Sequence, residues 1–344
     1  MSQFEYIKDI AKYGLENDQE RLTSTLNELI DYSKKTRKTN FAIQLQSILK
    51  EGIREREAAG LAIHGSRKHL IREEDHKVRD FILEKITSDY RLSDLISTEK
   101  VKDELQFFIR EHQEIEMLQT YNLPVANKIL LSGPSGCGKT LASYVIAGEL
   151  GKMMTIINLG AIVSSRLGET SKNLAAIFRR ASREEGIIFF DEFDSLARMR
   201  DNDNDHGEMK RVVNTILQLF DFLPQNNILI AATNFGKAID PALVRRFDMK
   251  FEFDLPRQKQ IKDLIKSTLR SGSFILDTQI HLDRLIAQAE GLSYFTIQHT
   301  LITAIKRSLL EAPQKHMKNE KIEIDTKLWL EFLSEEKERN NILV

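Results

Sequence analysis

Residues Gly133-Pro-Ser-Gly-Cys-Gly-Lys-Thr140 set three glycines, a lysine and a hydroxyl within eight positions. They follow the apolar run Ile129-Leu-Leu131 and precede a helix-forming segment, Leu141 to Leu150. A strand that turns through a Gly-rich loop into a helix aims backbone N–H groups at one small volume, which suits an anion. The spacing G-x-x-x-x-G-K-[ST] is the one in which such N–H groups cradle phosphate oxygens, the lysine reaches the outer phosphates and the hydroxyl meets magnesium. A glycine turn that merely joins strand to helix is the plain alternative.

The surrounding pattern favours the phosphate loop. Brief, largely apolar runs at Lys128–Leu131, Thr155–Asn158, Ile187–Phe190, Ile228–Ala232 and Lys250–Phe253 alternate with helical stretches. That alternation predicts a parallel sheet sandwiched between helices, the architecture of P-loop NTPases. After Pro256 the strands stop, and Gln258–Leu269, Leu282–Ala289, Thr296–Leu310 and Thr326–Glu336 read as helices of an all-helical unit. Ile297, Leu301, Ile305 and Leu309 repeat every four residues as a buried stripe. Upstream, Leu22, Leu26, Leu29 and Ile30 share a helix face, as do Phe41, Leu45, Ile48 and Leu49; Phe4, Ile7 and Ala11 form a shorter stripe. The expected division is a helical module at 1–72 for partner or client selection, a nucleotide-binding α/β domain at 73–255 and a helical lid at 256–344. Arg67 to Asp80 is a charged linker between the first two.

Bulk properties exclude other classes. A net charge of −1 with 29% charged residues carries no argument for nucleic acid or an anionic membrane. No N-terminal segment resembles a signal peptide, and no apolar run is long enough to span a bilayer, so a cytoplasmic protein is expected. The single cysteine, Cys137, excludes an internal disulfide. Its place at a helix start can lower its thiol pKa and invite alkylation; the alternative is a small residue filling a loop. Asp201-Asn-Asp-Asn-Asp205 opens like a calcium loop, but Gly207 comes one place late and Val212 stands where a glutamate is needed. Met199–Lys210 is therefore read as a flexible acidic loop. The histidines show no zinc-ligand spacing.

A second chemical element is Ile187-Ile-Phe-Phe-Asp-Glu-Phe-Asp194. Four apolar residues bury a strand, and Asp191 emerges at its carboxyl end, where ligands collect in open α/β sheets. Asp191 can hold magnesium beside Thr140, and Glu192 can orient and deprotonate a water. Adjacent acids on a surface turn are usually just solvated; behind an apolar strand in a chain with a phosphate loop, they are not.

With both elements in place, the chain resembles AAA+ ATPases of the AAA clade over roughly Leu92 to Leu333. The resemblance implies ATP and Mg2+ as ligands, with Pro134, Ser135, Gly136, Cys137, Gly138, Lys139, Thr140 and Leu141 lining the nucleotide. It matches Asn234, in Ile230-Ala-Ala-Thr-Asn-Phe235, to the sensor-1 position. It also matches Ile239-Asp-Pro-Ala-Leu-Val-Arg-Arg-Phe-Asp248 to the arginine-finger segment, so that Arg245 and Arg246 reach the ATP site of a neighbour in a homo-oligomeric, hexameric ring. Arginine there fits the chemistry, since phosphoryl transfer spreads negative charge over equatorial oxygens.

Two departures stand out. Arg166, in Ser164-Ser-Arg-Leu-Gly-Glu-Thr170, occupies the pore-loop position where the family places an aromatic residue that grips polypeptide. Tyr294 and Phe295 stand where the family often has small residues near the adenine, and no arginine begins that helix. The implied function is ATP-driven remodelling or translocation of a protein partner. The competing one is a nucleotide-gated scaffold that activates a separate effector, such as the protease of bacterial defence systems with a similar layout. A small-molecule kinase would leave Asp191, Glu192, Asn234 and the arginine pair without roles.

Overall fold

The computed structural model describes residues 3–15, 19–36, 38, 40–49, 81–159, 170–182, 185–195, 206–235, 239–270, 274–311 and 322–342. The first helices are α1 (Gln3–Leu15), α2 (Gln19–Lys35) and α3 (40–49). The α/β region follows as β1 (Ile82–Ile86), α4 (Glu99–Gln113), α5 (Ile115–Thr120), β2 (Lys128–Ser132), α6 (Lys139–Leu150), β3 (Met154–Ile157), α7 (Thr170–Ser182), β4 (Ile187–Phe190), α8 (His206–Asp221), β5 (Ile228–Thr233), α9 (Pro241–Val244) and β6 (Met249–Glu252). The last region holds α10 (Gln258–Arg270), β7 (Phe274–Leu276), α11 (Leu282–Ala289), α12 (Tyr294–Glu311), β8 (Ile322–Ile324) and α13 (Thr326–Ile342). Among the described residues, no helix is long and apolar enough to cross a membrane.

Six strands form one sheet in the order β1-β3-β4-β5-β2-β6. Every pairing is parallel except that of β1 with β3. All residues of β4 and β5 are buried, which is why they read as unbroken apolar runs rather than alternating ones. Their side chains still alternate between faces. Ile188 and Phe190 join Leu174, Phe178 and Phe220 on one side, while Ile187 and Phe189 join Leu105, Phe108 and Val145 on the other. Each such fully buried side chain contributes about 1.5–3 kcal/mol.

Three expectations need correction. The edge strand β1 was not anticipated, because Ile82-Leu-Glu-Lys-Ile86 carries two charges and no clean alternation. The C-terminal region is not all-helical: β7 and β8 pair in parallel, with α11 and α12 as the crossover between them. Three-residue strands are too short to leave a period in the sequence. Asp277, just after β7, ties the pair to α13, its carboxylate accepting from the Thr326 hydroxyl.

The third correction concerns the first helices. In α1 the inward residue is Tyr6, whose ring lies 5.8 Å from that of Tyr32, whereas Ile7 is half exposed. Leu29 and Ile30 of α2 are buried as expected. In α3 it is Ala42 that is fully buried, and Ile48 faces outward. Helix α3 meets the sheet edge through Gln44 Nε2, which donates to Thr87 Oγ1 at 3.1 Å, and through Asn40 with Asp89. The expected linker Arg67–Asp80, the Arg166 segment up to Glu169, and the stretch at 196–205 lie outside the described residues. The last part of the expected loop Met199–Lys210 is instead helical, since α8 begins at His206.

Candidate functional site

The Gly-rich loop is shaped by two close approaches. Gly133 has φ +142, and a Cβ there would sit 2.0 Å from the Phe253 carbonyl oxygen just beyond β6, so no side chain fits. Gly138 has φ +93 and begins α6 without any side-chain cap. The first N–H groups of α6 thus have no intrahelical acceptor and face the loop, with the positive end of the helix dipole behind them.

Lys139 is buried, and its ammonium donates to the Gly133 and Pro134 carbonyls at 2.7 Å each and to Asn234 Oδ1 at 2.8 Å. Burial lowers its pKa from the ordinary lysine value, while the nearby Cys137, Asp191 and Asp194 charges act the other way. Thr140 Oγ1 donates to Asp191 Oδ2 at 3.3 Å, joining the start of α6 to the end of β4.

Past β4 the chain turns sharply. Glu192 adopts φ +50, unusual for a residue with a side chain, and its N–H donates to Asp191 Oδ1 at 2.9 Å. Phe193 N–H then bonds the Ala232 carbonyl at 2.8 Å, stitching the turn to β5. Asp194 is buried and accepts from Thr233 Oγ1 at 3.1 Å and from Asn234 N–H at 3.3 Å. Asp194 therefore positions Asn234, a part that sequence reasoning left unassigned although the residue stood in the motif it singled out.

The start of α12 meets the loop at Gly136, whose carbonyl accepts from Phe295 N–H at 3.1 Å. Gly136 has φ +72, and a Cβ there would sit 2.7 Å from Ser293 Oγ. Tyr294 is half-buried beside this contact; burial first, then the Cys137 and Asp254 charges, push its pKa up to about 12. Cys137 itself is buried, its pKa raised chiefly by that burial. It is thus the small loop filler of the two alternatives, since desolvation outweighs the helix-start effect. Ser135 contributes its carbonyl to the Cys137 thiol at 3.8 Å, and Leu141 packs against the core.

Lys139, Thr140, Asp191 and Asn234 are thus drawn together by direct bonds, with Glu192 on the adjoining exposed turn. Arg245 and Arg246 are not in this cluster. They follow α9, which Asp240 caps by accepting from Ala242 N–H at 2.8 Å, and both are exposed. Arg246 Nη1 pairs with Asp221 Oδ1 at 2.7 Å. Arg245 makes no ion pair among the described residues.

Chemically, uncapped helix N–H groups and a buried ammonium suit the phosphates of a nucleotide such as ATP. A hydroxyl and a carboxylate oxygen 3.3 Å apart suit a hard divalent cation such as magnesium.

The model of the ATPase family associated with various cellular activities (AAA) matches residues 129–255. The uncharacterized AAA family ATPase y4kL of Sinorhizobium fredii is 32% identical, the match spanning 88% of this chain and 88% of that one. ATP-dependent zinc metalloprotease FtsH 3 of Sphaerobacter thermophilus is 30% identical over 61% of this chain, a stretch that spans 43% of its own length. The crystal structure of the FIGL-1 AAA domain covers 76% of this chain and 88% of that one with a TM-score of 0.59 and 19% identity, a likeness of fold.

Proposed function

The chain belongs to the AAA family of ATPases, and from that premise we propose that it hydrolyses ATP with Mg2+ at the Gly133–Thr140 loop, within a hexameric ring in the cytoplasm, to remodel a protein partner. The backbone N–H groups from about Ser135 to Thr140 hold the phosphates, with Pro134 and Leu141 flanking them. Lys139 exchanges its bond to Asn234 for oxygens of the outer phosphates, and Thr140 and Asp191 hold the metal. Magnesium supplies charge neutralisation at the transferred phosphoryl group. The freed Asn234 amide steadies the attacking water, whose proton Glu192 takes. Arg245 and Arg246 serve the site of the adjoining copy.

The observation that carries this reading is the meeting of Lys139 and Thr140, at the start of α6, with Asp191 after β4 and Asn234 after β5. Exposure of the arginine pair outside that cluster fits a role in trans. The test is ATP turnover per subunit from nanomolar to micromolar protein. It should rise with concentration; a flat profile would exclude the finger in trans. Glu192→Gln should abolish turnover while retaining ATP.

Arg166 in place of a gripping aromatic favours the effector-gating alternative, with a protease among the candidate effectors. Arg166→Ala separates the two: loss of partner processing with intact turnover supports remodelling, and no effect supports gating.

A further inference from the structure

The Gly-rich loop is touched at two points by chain that leads into the C-terminal region or belongs to it. Gly133 lies against the Phe253 backbone, and from Phe253 the chain passes through Asp254, Leu255 and the buried Pro256 into α10. Gly136 lies against the start of α12, with Ser293 Oγ and Phe295 Cβ at 2.7 and 3.0 Å from the place a Cβ would take. Ser293 caps that helix: its hydroxyl accepts from Thr296 N–H at 3.2 Å and its carbonyl from Ile297 N–H at 3.0 Å. The Phe295 N–H, in the first turn, has no acceptor within its own helix. It donates to the Gly136 carbonyl instead, so the loop completes the capping of α12.

Tyr294 sits between these contacts. Among the described residues it is the one hydrophobic side chain packed against two cores at once. One is the sheet-side core that holds Leu95, Cys137 and Phe253; the other is the C-terminal core that holds Leu292, Ile297 and Trp329. Its phenol lies near Cys137 of the loop and Asp254 of the connection to α10, whose charges add to burial in keeping it protonated. Another tie across the same boundary, Lys259 Nζ to Glu99 Oε1 at 2.8 Å, is an exposed pair that water screens.

We propose that Tyr294 is a positioning residue for the nucleotide, a wedge that holds the start of α12 on Gly136 and thereby slows the release of bound ATP. It acts through the loop and does not touch the phosphates. This rests on the ATP reading above and adds to it the part that sets nucleotide exchange. The bond from Phe295 N–H to the Gly136 carbonyl joins neutral groups and by itself holds little. A ring buried between two cores holds more, and its burial is lost as a unit when α12 leaves the loop. Loop shape matters because the N–H groups from Ser135 to Thr140 must point into one volume, and Gly136, at φ +72, makes one of the turns that aim them. A loop already held in that form loses less freedom when the nucleotide binds, so the complex lasts longer.

The experiment is stopped-flow release of a fluorescent ATP analogue from the full chain, chased with unlabelled ATP, in a Glu192→Gln background that prevents turnover. Losing about half of an aromatic side chain's roughly 150–250 Å² of contact should speed release by about 10–100-fold in Tyr294→Ala. Tyr294→Phe keeps the ring and should stay within about threefold of the parent, and Tyr294→Leu should fall between the two. Thr300→Val weakens the C-terminal core at the Trp329 indole, away from the loop, and should leave release unchanged. Emission of Trp329, buried in that core, checks that the region stays folded in each variant. Parent-like release from Tyr294→Ala, or release from Tyr294→Phe as fast as from Tyr294→Ala, would overturn the proposal. So would equal acceleration in Thr300→Val, which would make the effect one of general loosening. A parent chain that binds no ATP analogue would instead sink the ATP reading, and this proposal with it.

Discussion

Glu192 stands at the meeting point of strain and chemistry, and the two can be separated by substitution. Its φ of +50 places Cβ against its own backbone, a conformation costing roughly 1–2 kcal/mol for any residue but glycine. Its side chain is exposed, so truncation forfeits little packing. Glu192→Gly relieves the strain but adds about 0.5–1 kcal/mol of chain entropy in the unfolded state. The balance is a gain of about 0–1.5 kcal/mol, centred near 0.75. At roughly 2–4 °C per kcal/mol for a domain of this size, the Tm should rise by about 2–3 °C at the centre of that range and by no more than about 6 °C. Glu192→Gln keeps the strain and is the proper reference. Both variants lose the carboxylate proposed as the base, so that proposal has turnover falling by about 10²–10⁴-fold in each while ATP still binds. Thermal unfolding of the two variants side by side, with turnover and ATP binding measured on the same samples, decides the matter. If the glycine variant melts at or below the glutamine variant, the strain argument is wrong. If either turns over ATP normally, Glu192 is not the base.

Three further outcomes follow from the packing. His112 lies 4.6 Å from Phe108 in centroid distance, with Nε2 2.8 Å from the Ala126 carbonyl, and burial holds its pKa down to about 4 against an ordinary 6.5. Because the folded value lies below the unfolded one, its contribution is full above pH 6.5 and is lost as pH falls towards 4; the loss is on the order of 3 kcal/mol, and urea midpoints of His112→Gln should show a flatter acid limb. Gly133→Ala drives a Cβ into the Phe253 carbonyl at 2.0 Å, backbone against backbone, and should lower stability by about 3 kcal/mol or more in chemical denaturation. Trp329, the chain's one tryptophan, is fully buried in the C-terminal core and donates Nε1–H to Thr300 Oγ1 at 3.2 Å. Thr300→Val should cost about 1–3 kcal/mol, read directly from Trp329 emission, whereas Thr300→Ser should cost far less.

The candidate site was legible wherever chemistry demands adjacent residue types. Lys139 and Thr140 are read from one octapeptide and Asp191 and Glu192 from one strand end, because a loop that wraps an anion must be local in sequence. Asp194 was in view but mute: its task is to orient Asn234, forty positions away, and no spacing rule encodes that. Tyr6 and Ala42 were passed over in favour of Ile7 and Ile48 because short amphipathic helices offer more than one apolar face, and only the neighbour selects among them. Strands β7 and β8 escaped because each is stabilised by the other rather than by its own residues.

By its sequence alone, this chain commits to an apolar, mostly parallel sheet carrying a glycine loop, since local sterics and hydrophobic runs suffice to specify those parts. Tertiary structure alone decided that Cys137 is buried rather than reactive and that Asp221 holds Arg246. It also decided which side of α12 is exposed. Those outcomes depend on distances between residues remote along the chain, and burial and charge pairing exist only once the chain has closed on itself.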